Sequence, residues 1–242
     1  MAIIVFIHHP QESTGLLGQE LRNRGHCLDL VNLYAGQPAP ADLDETDGII
    51  SMGGPMNVDE GAAHPWIATE MAYLKRAHEA GVPILGVCLG AQLIAQVLGG
   101  QVTAMPTPPG PEIGFVPLRL SFAGTTDPLY AGVPWNAPVF AIHGQEAVKL
   151  PPEAVLLAST KMCKNQVFRV GLNTYAIQYH FEWDRHDLEM VARDPLVARA
   201  NLTARQIIAS LEMQYEPYRR VADRLSANIA TLLFAPAAKL RI

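Results

Sequence analysis

Residues 82–100 read VPILGVCLGAQLIAQVLGG and predict a buried strand, a sharp turn and a helix in immediate succession. The nearly unbroken apolar run from Val82 to Val87 is typical of a strand buried on both faces of an α/β sheet. Apolar residues then recur at helical spacing from Ala91 until a pair of glycines ends the helix. The pattern therefore places Cys88 in the turn at the end of a central strand.

The glycines around this cysteine indicate a tight turn between the strand and the helix. Gly86-x-Cys88-x-Gly90 is the cysteine form of the nucleophile elbow, in which small neighbours permit the tight turn that exposes a nucleophile. The first amides of the following helix favour the thiolate, and the Leu89 amide can donate to an oxyanion. A buried structural cysteine is the alternative interpretation. The two glycines favour the nucleophile.

The rest of the chain predicts an α/β fold with a doubly wound, mostly parallel open sheet flanked by helices, as in flavodoxin-like proteins. Early strands are expected at 3–7, 27–31 and 48–52, with helices at 16–21 and 65–80. A proline-rich loop is expected from 101 to 112, and later short strands, with some antiparallel pairs, at 118–122, 139–142, 155–159, 167–170 and 174–178. Helices follow to about residue 234. No linker divides the chain, so a single domain is expected over 1–242, with a core of about 1–184 and a helical C-terminal extension of about 185–242.

Composition excludes several classes of partner. The chain has 242 residues, of which 49% are hydrophobic, and a formal charge of −5 without a basic block. This disfavours nucleic acid and anionic membranes as partners. The N-terminus predicts a strand rather than a signal peptide, and no run reaches membrane-spanning length. Three widely spaced cysteines, Cys27, Cys88 and Cys163, fit a reducing cytoplasm. Neither metal-ligand spacing nor a nucleotide-binding motif occurs, so no metal or cofactor is expected.

A cysteine nucleophile needs a base, and the base needs an orienting acceptor. His180 follows a predicted strand, at the sheet edge where Cys88 is expected. Residues two apart in an extended segment point the same way, so Glu182 can reach the far nitrogen of His180 and select its tautomer. His8, His9 and His143 also follow apparent strand ends and are candidates for the rim of the site.

A second loop can complete an oxyanion hole. Gly53-Gly54-Pro55 follows the third predicted strand, and a glycine there lets a backbone amide approach a ligand closely. An ordinary Gly-Pro turn is the alternative interpretation.

Five segments together resemble the class I glutamine amidotransferases, in particular stand-alone proteins similar to the glutaminase domain of GMP synthase. They are GGPMNV at 53–58, GVCLGAQ at 86–92, EIGF at 112–115, CKNQVF at 163–168 and QYHFEW at 178–183. The resemblance covers about residues 1–184, with the segments in the family's order. It implies the class I glutamine amidotransferase fold and hydrolysis of a γ-amide.

The resemblance also implies roles for individual residues. Cys88 is the nucleophile, His180 the acid and base, and Glu182 the residue that orients His180. The amides of Gly54 and Leu89 form the oxyanion hole. The substrate-binding set comprises Gly53, Gln92, His143, Gly144 and Gln145, with Gln92 beside the amino acid portion of the substrate.

Two departures from the family pattern bear on the substrate. His143-Gly144-Gln145 stands where relatives often have His-Gly-Asp, so a carboxylate for the substrate's ammonium group is missing unless Glu146 replaces it. About sixty residues follow His180, which is too few for a synthetase domain. This tail could cap the core, form a dimer face or dock a partner.

The sequence is compatible with three functions. The first is an amidohydrolase that cleaves the γ-amide of glutamine or a related small-molecule γ-glutamyl compound through a thioester on Cys88. The second is a glutaminase subunit that supplies ammonia to a separate synthetase. The third is a binding or regulatory module without catalysis, which an intact cysteine, histidine and glutamate disfavour.

Overall fold

The structure, a computed structural model, describes residues 1–235. Its strands are β1 Ala2–Ile7, β2 Leu28–Asn32, β3 Thr46–Ser51, β4 Ile84–Val87, β5 Gln101–Ala104, β6 Glu112–Leu120, β7 Asn136–His143, β8 Gln145–Lys149, β9 Val155–Ser159, β10 Val167–Val170 and β11 Thr174–Ile177. Its α-helices are α1 Gly15–Asn23, α2 Trp66–Glu79, α3 Leu89–Val97, α4 Phe122–Thr126, α5 Arg185–Val191, α6 Pro195–Arg199 and α7 Ala204–Asn228.

Nine of these strands form one sheet in the order β2-β1-β3-β4-β11-β10-β9-β6-β7. The first five are parallel to one another, and the other four add antiparallel pairs. The predicted α/β fold with a doubly wound sheet is therefore confirmed, as are the antiparallel pairs expected among the late strands. Strand β4 lies between β3 and β11, so Cys88 and His180 follow adjacent parallel strands.

Alternating side chains of the parallel strands feed two separate cores. Val5 of β1 packs with helices α1 and α7 on one face of the sheet, whereas Phe6 packs with α2 and α3 on the other. Strand β4 divides in the same way, with Leu85 in the first core and Ile84 in the second. Burial on both faces explains why the sequence of β4 is almost wholly apolar.

The C-terminal helices pack onto the first of these faces. Helix α7 begins at a capping box formed by Thr203 and Gln206, and Ile229–Leu233 continues it as a π-helix. Near its end, Asn228 donates to the carbonyls of Leu129 and Ala131. This packing favours the first of the three roles considered for the tail, which is to cap the core. We propose that residues 1–235 form one domain; residues 236–242 of the predicted extension lie outside the described residues.

Two predictions of secondary structure were wrong. The expected loop from 101 begins instead with β5, which pairs with β8 in a separate two-stranded sheet. The strand expected at 118–122 begins at Glu112, ends at Leu120, and is followed by helix α4. Pro117 cannot donate a hydrogen bond to a neighbouring strand, but its position in β6 tolerates this. On one side it lies opposite Pro138 of the edge strand β7, and on the other side β6 pairs with β9 only at its far end.

Among residues 1–235, no helix is long and apolar enough to cross a membrane.

Candidate active site

Cys88 occupies a strained turn between β4 and α3. Its backbone has φ 51° and ψ −105°, a region that residues with a side chain rarely adopt. The Cys88 amide donates to the Ile177 carbonyl of β11 at 2.9 Å, which ties the turn to the neighbouring strand. Such strain persists only where surrounding contacts enforce it, and it is common at active sites.

The two glycines of the elbow are required by packing. A Cβ atom on Gly90 would collide with the backbone carbonyl of Ser51 on β3. A Cβ atom on Gly86 would lie 2.6 Å from the Gly90 carbonyl oxygen and the Ile94 side chain. Helix α3 therefore packs directly against the sheet backbone, and this contact brings its first turn to Cys88.

His180 and Glu182 form a buried pair beyond the end of β11. Nδ1 of His180 lies 2.6 Å from Glu182 Oε1, and the Phe181 amide donates to Glu182 Oε2 at 2.9 Å. Burial by itself lowers the pKa of His180, but Glu182 and the Cys88 sulfur outweigh it and raise this pKa well above its usual value. The site therefore favours an imidazolium between a carboxylate and a cysteine.

The His180 ring is also held by residues distant in sequence. Trp183 stacks on it with ring centroids 3.6 Å apart and an interplanar angle of 10°. The His180 amide donates to the Phe140 carbonyl of β7 at 2.8 Å. The Tyr218 hydroxyl of α7 donates to the Trp183 carbonyl at 2.9 Å, so the C-terminal helix supports the histidine through Trp183.

The Gly53-Gly54 turn lies beside the elbow. A Cβ atom on Gly54 would lie 3.1 Å from Leu89 Cδ2 and 3.0 Å from His8 Cβ. Within residues 1–235, neither the Gly54 amide nor the Leu89 amide donates a hydrogen bond. Both amides are therefore free of protein acceptors among these residues, which an oxyanion-hole donor requires.

His8 supports the turn from beneath rather than forming the rim. It is fully buried, donates from Nδ1 to the Gly53 carbonyl at 2.9 Å, and pairs through Nε2 with Glu70 at 2.8 Å. The Ser51 hydroxyl donates to the other Glu70 oxygen. Sequence reasoning missed Glu70, although its spacing from Ile67 and Leu74 places it on the buried face of α2.

Two of the expected substrate-binding residues, Gln92 and His143, contact the backbone carbonyl of a third, Gln145. Gln92 donates to the Gln145 carbonyl at 3.0 Å and to Gln178 at 3.1 Å, and His143 Nδ1 donates to the same carbonyl at 2.9 Å. Gly144 lies between His143 and Gln145, close to Leu196. Gln92 and His143 are buried, so they hold the 143–145 turn from within.

The Gln145 side chain reaches the loop after the Gly-Gly turn. Its Oε1 accepts from the Val58 amide at 3.3 Å, and its Nε2 donates to Asp59 Oδ1 at 3.4 Å. Glu146, the next residue of β8, contacts Cys163 instead. Burial, with Glu146 and Glu112 nearby, raises the pKa of the Cys163 thiol far above its usual value, so this cysteine is a poor nucleophile.

Glu12 is a site residue that sequence reasoning missed. It lies in the loop between β1 and α1. One of its carboxylate oxygens lies within 4.8 Å of a ring nitrogen of His180 and of a carboxylate oxygen of Glu182. Three such atoms are close enough to share a cation, although Nδ1 of His180 is already paired with Glu182. No local pattern marks Glu12, because the loop reaches the histidine only through folding.

Comparisons with known proteins identify the family of the chain. The sequence profile described as glutamine amidotransferase class-I matches residues 11–193. A glutamine amidotransferase-like protein of Salmonella typhimurium, YfeJ, is 27% identical over 99% of this chain and 100% of its own length. Gamma-glutamyl peptidase 3 of Arabidopsis thaliana is 29% identical over 70% of this chain and 68% of its own.

Two further relatives extend the comparison. One subunit of the glutamine-hydrolyzing GMP synthase of Halobacterium salinarum is 31% identical over 63% of this chain and 74% of its own. The crystal structure of a glutamine amido transferase from Methylobacillus flagellatus superimposes with a TM-score of 0.83, at 26% identity, over 94% of this chain and 93% of that one. The chain therefore belongs to the class I glutamine amidotransferase family.

Proposed function

We propose that the protein is an amidohydrolase that cleaves the γ-amide of glutamine or a related γ-glutamyl compound through a thioester on Cys88. The observation that carries this proposal is the meeting of a strained cysteine elbow with the buried His180–Glu182 pair. The family and its relatives support hydrolysis of a glutamine amide as the general chemistry.

In the first half of the reaction, the Cys88 thiolate attacks the γ-carbonyl carbon. The carbonyl oxygen becomes an oxyanion, to which the amides of Gly54 and Leu89 donate. The imidazolium of His180 protonates the departing nitrogen, the C–N bond breaks, and a γ-glutamyl thioester remains on the sulfur.

In the second half, His180 is neutral and accepts a proton from water. The resulting hydroxide attacks the thioester carbonyl, the C–S bond breaks, and glutamate leaves as the cysteine thiolate is restored. The His180 imidazolium is restored in the same step, and Glu182 stabilises its charge through Nδ1.

The turn at 143–145 supports a γ-glutamyl amide or peptide as the preferred substrate. The Gln145 side chain is neutral and is engaged with Val58 and Asp59. It therefore does not provide the carboxylate that the family often places here for a free amino acid. One relative is named a gamma-glutamyl peptidase. We expect at least one γ-glutamyl amide or peptide to have a higher kcat/KM than glutamine, and Gln145→Asp to move the preference toward glutamine.

The alternative function is a glutaminase subunit that supplies ammonia to a separate synthetase. The similarity to one subunit of a GMP synthase favours it specifically. Under this alternative the isolated chain stays slow until a partner docks, because uncoupled hydrolysis wastes glutamine. A homodimer is compatible with either function.

The decisive experiment measures glutamate release from glutamine and a panel of γ-glutamyl amides and peptides. Wild-type protein and Cys163→Ala should be active, whereas Cys88→Ala should lose activity by at least about ten-thousand-fold. A glutamine-analogue electrophile should label Cys88. Labelling mainly at Cys163 would overturn the assignment of the nucleophile. A wild-type chain that is inert on the panel, but hydrolyses glutamine when a co-purifying synthetase is added, would establish the ammonia-supplying function instead.

A further inference from the structure

The loop that carries Glu12 is fixed to the segment that carries His180 and Glu182. The Glu12 amide donates to the His9 carbonyl at 3.0 Å, and the Leu16 amide donates to the Glu182 carbonyl at 2.7 Å. A Cβ atom on Gly15 would collide with that same carbonyl. Glu12 is therefore held in a defined position relative to the histidine.

The Glu12 carboxyl group and the His180 ring face one small space. A Cβ atom on Gly53 would lie 3.1 Å from Glu12 Oε1 and 3.0 Å from His180 Cε1. The absence of a side chain at residue 53 therefore leaves the two groups open to each other. Glu12 as a residue is half-buried, but its Oε1 atom is enclosed and has no hydrogen-bond partner within residues 1–235.

An enclosed carboxyl oxygen without a donor destabilises a protein, so its retention calls for an explanation. Burial raises the pKa of Glu12 to about 7, against the opposing effect of His180. The other charged groups that act on it are Glu182, His8 and Asp187. Glu12 therefore changes charge within the pH range in which most cytoplasmic enzymes work, beside an imidazole ring.

We propose that Glu12 is a positioning residue that acts through His180, where its carboxylate supports the imidazolium form in addition to Glu182. This role rests on the proposed function, in which the imidazolium protonates the departing amine. The His180 ring then faces two carboxylates, one bonded to Nδ1 and one with an oxygen within 4.8 Å of a ring nitrogen. Opposite charges within this range favour the charged form of each partner.

The test compares Glu12→Gln, which keeps the shape and removes the charge, with the control Glu20→Gln on α1, where a partly exposed glutamate pairs with Arg24 away from the histidine. Side-chain nitrogen NMR follows the titration of His180, and His180→Asn assigns its signals. In Glu12→Gln the titration midpoint of His180 should fall by about one pH unit, whereas Glu20→Gln should leave it unchanged. Glu12→Asp, which retracts the carboxyl group by one methylene, should give a smaller fall.

Kinetics supply the second readout. In the wild type, kcat/KM should rise as Glu12 ionises near pH 7. In Glu12→Gln this rise should disappear, so kcat/KM should fall about tenfold at pH 8 and less than about twofold at pH 5.5. An unchanged titration of His180, or an equal loss of activity at every pH, would overturn the proposal. The NMR result decides even if the wild type hydrolyses none of the substrates, so this failure is separable from failure of the proposed function.

Discussion

Cys88 and His180 follow adjacent strands, yet they are held by different kinds of contact. The cysteine turn depends on close backbone packing among β3, β4 and α3, which Gly86 and Gly90 permit. The histidine depends on Phe140 from β7, Trp183 from the following loop and, through Trp183, on helix α7. The cysteine half is therefore marked by a pattern that is local in sequence, although Ser51 and Ile177 hold it from distant strands, whereas the contacts that hold the histidine have no local pattern.

This difference has a consequence for how each half responds to mutation. A steric requirement met by two glycines fails completely when either gains a side chain, because backbone atoms cannot move apart cheaply. A ring held by several weaker contacts loses its position in steps. We therefore expect abrupt effects in the elbow and graded effects around His180, apart from removal of the ring itself.

Removing the ring should have the largest effect. His180→Asn deletes the group that, in the proposed mechanism, donates a proton in one half of the reaction and accepts one in the other, so kcat should fall about ten-thousand-fold. Glu182→Gln keeps the hydrogen-bonding shape but lowers the pKa of His180, so a loss of about a hundredfold is expected. Glutamate release under saturating substrate measures both. Wild-type turnover by His180→Asn would remove this histidine from the mechanism.

Gly90→Ala should break the local half. The new Cβ atom would collide with the Ser51 backbone, which forces α3 away from the sheet. We expect the free energy of unfolding to fall by about 3 kcal/mol, measured by urea denaturation. Gly61→Ala is the matched control, because nothing lies within 4 Å of its Cβ position, and it should change stability by less than about 0.5 kcal/mol. Equal stabilities of the two variants would contradict the packing argument.

Glu12→Gln should raise stability while it lowers activity. The pKa of Glu12 is raised from 4.5 to about 7 by folding, so the folded protein binds the proton more tightly than the unfolded chain. Wild-type stability therefore falls as the pH rises from about 4.5 to about 7, and the loss is complete above that range. The variant lacks this loss.

Thermal unfolding at two pH values checks this sign. The Tm of Glu12→Gln should exceed that of the wild type by about 3 °C or more at pH 8, and the difference should shrink at pH 5. Glu20→Gln should show no such dependence. A destabilised variant at pH 8 would mean that the carboxylate is stabilising in the folded state, contrary to the cost inferred from its unpartnered oxygen.

The cysteine turn and the surroundings of the histidine also differ in how far the sequence predicts them. The strand, turn and helix around Cys88 are readable because neighbouring residues carry the pattern that marks each of them. The spacing of His180 and Glu182 is also local, and their atoms do lie 2.6 Å apart. Helical spacing places Glu70 on a buried face of α2 but does not reveal its partners His8 and Ser51, and Glu12 and the β5–β8 pair were missed because a loop and long-range pairing bring them into place. Periodicity carries no information about such contacts.

The smallest expected effect tests how far the C-terminal helix contributes to the distant half. Tyr218→Phe removes the hydroxyl that donates to the Trp183 carbonyl and leaves that carbonyl without its partner. One lost hydrogen bond of this kind should lower the free energy of unfolding by about 1 kcal/mol. Tyr34→Phe, at an exposed position, is the control and should be neutral.

Activity shows whether α7 only caps the core or also positions His180 through Trp183. If α7 positions Trp183, and Trp183 in turn fixes the plane of the His180 ring, kcat/KM should fall by about twofold to fivefold in Tyr218→Phe even where the protein is fully folded. The expected loss is small because the ring stack and the Phe140 contact remain. Unchanged kcat/KM alongside lower stability would limit α7 to capping the core, and the histidine would then depend on the sheet and Trp183 alone.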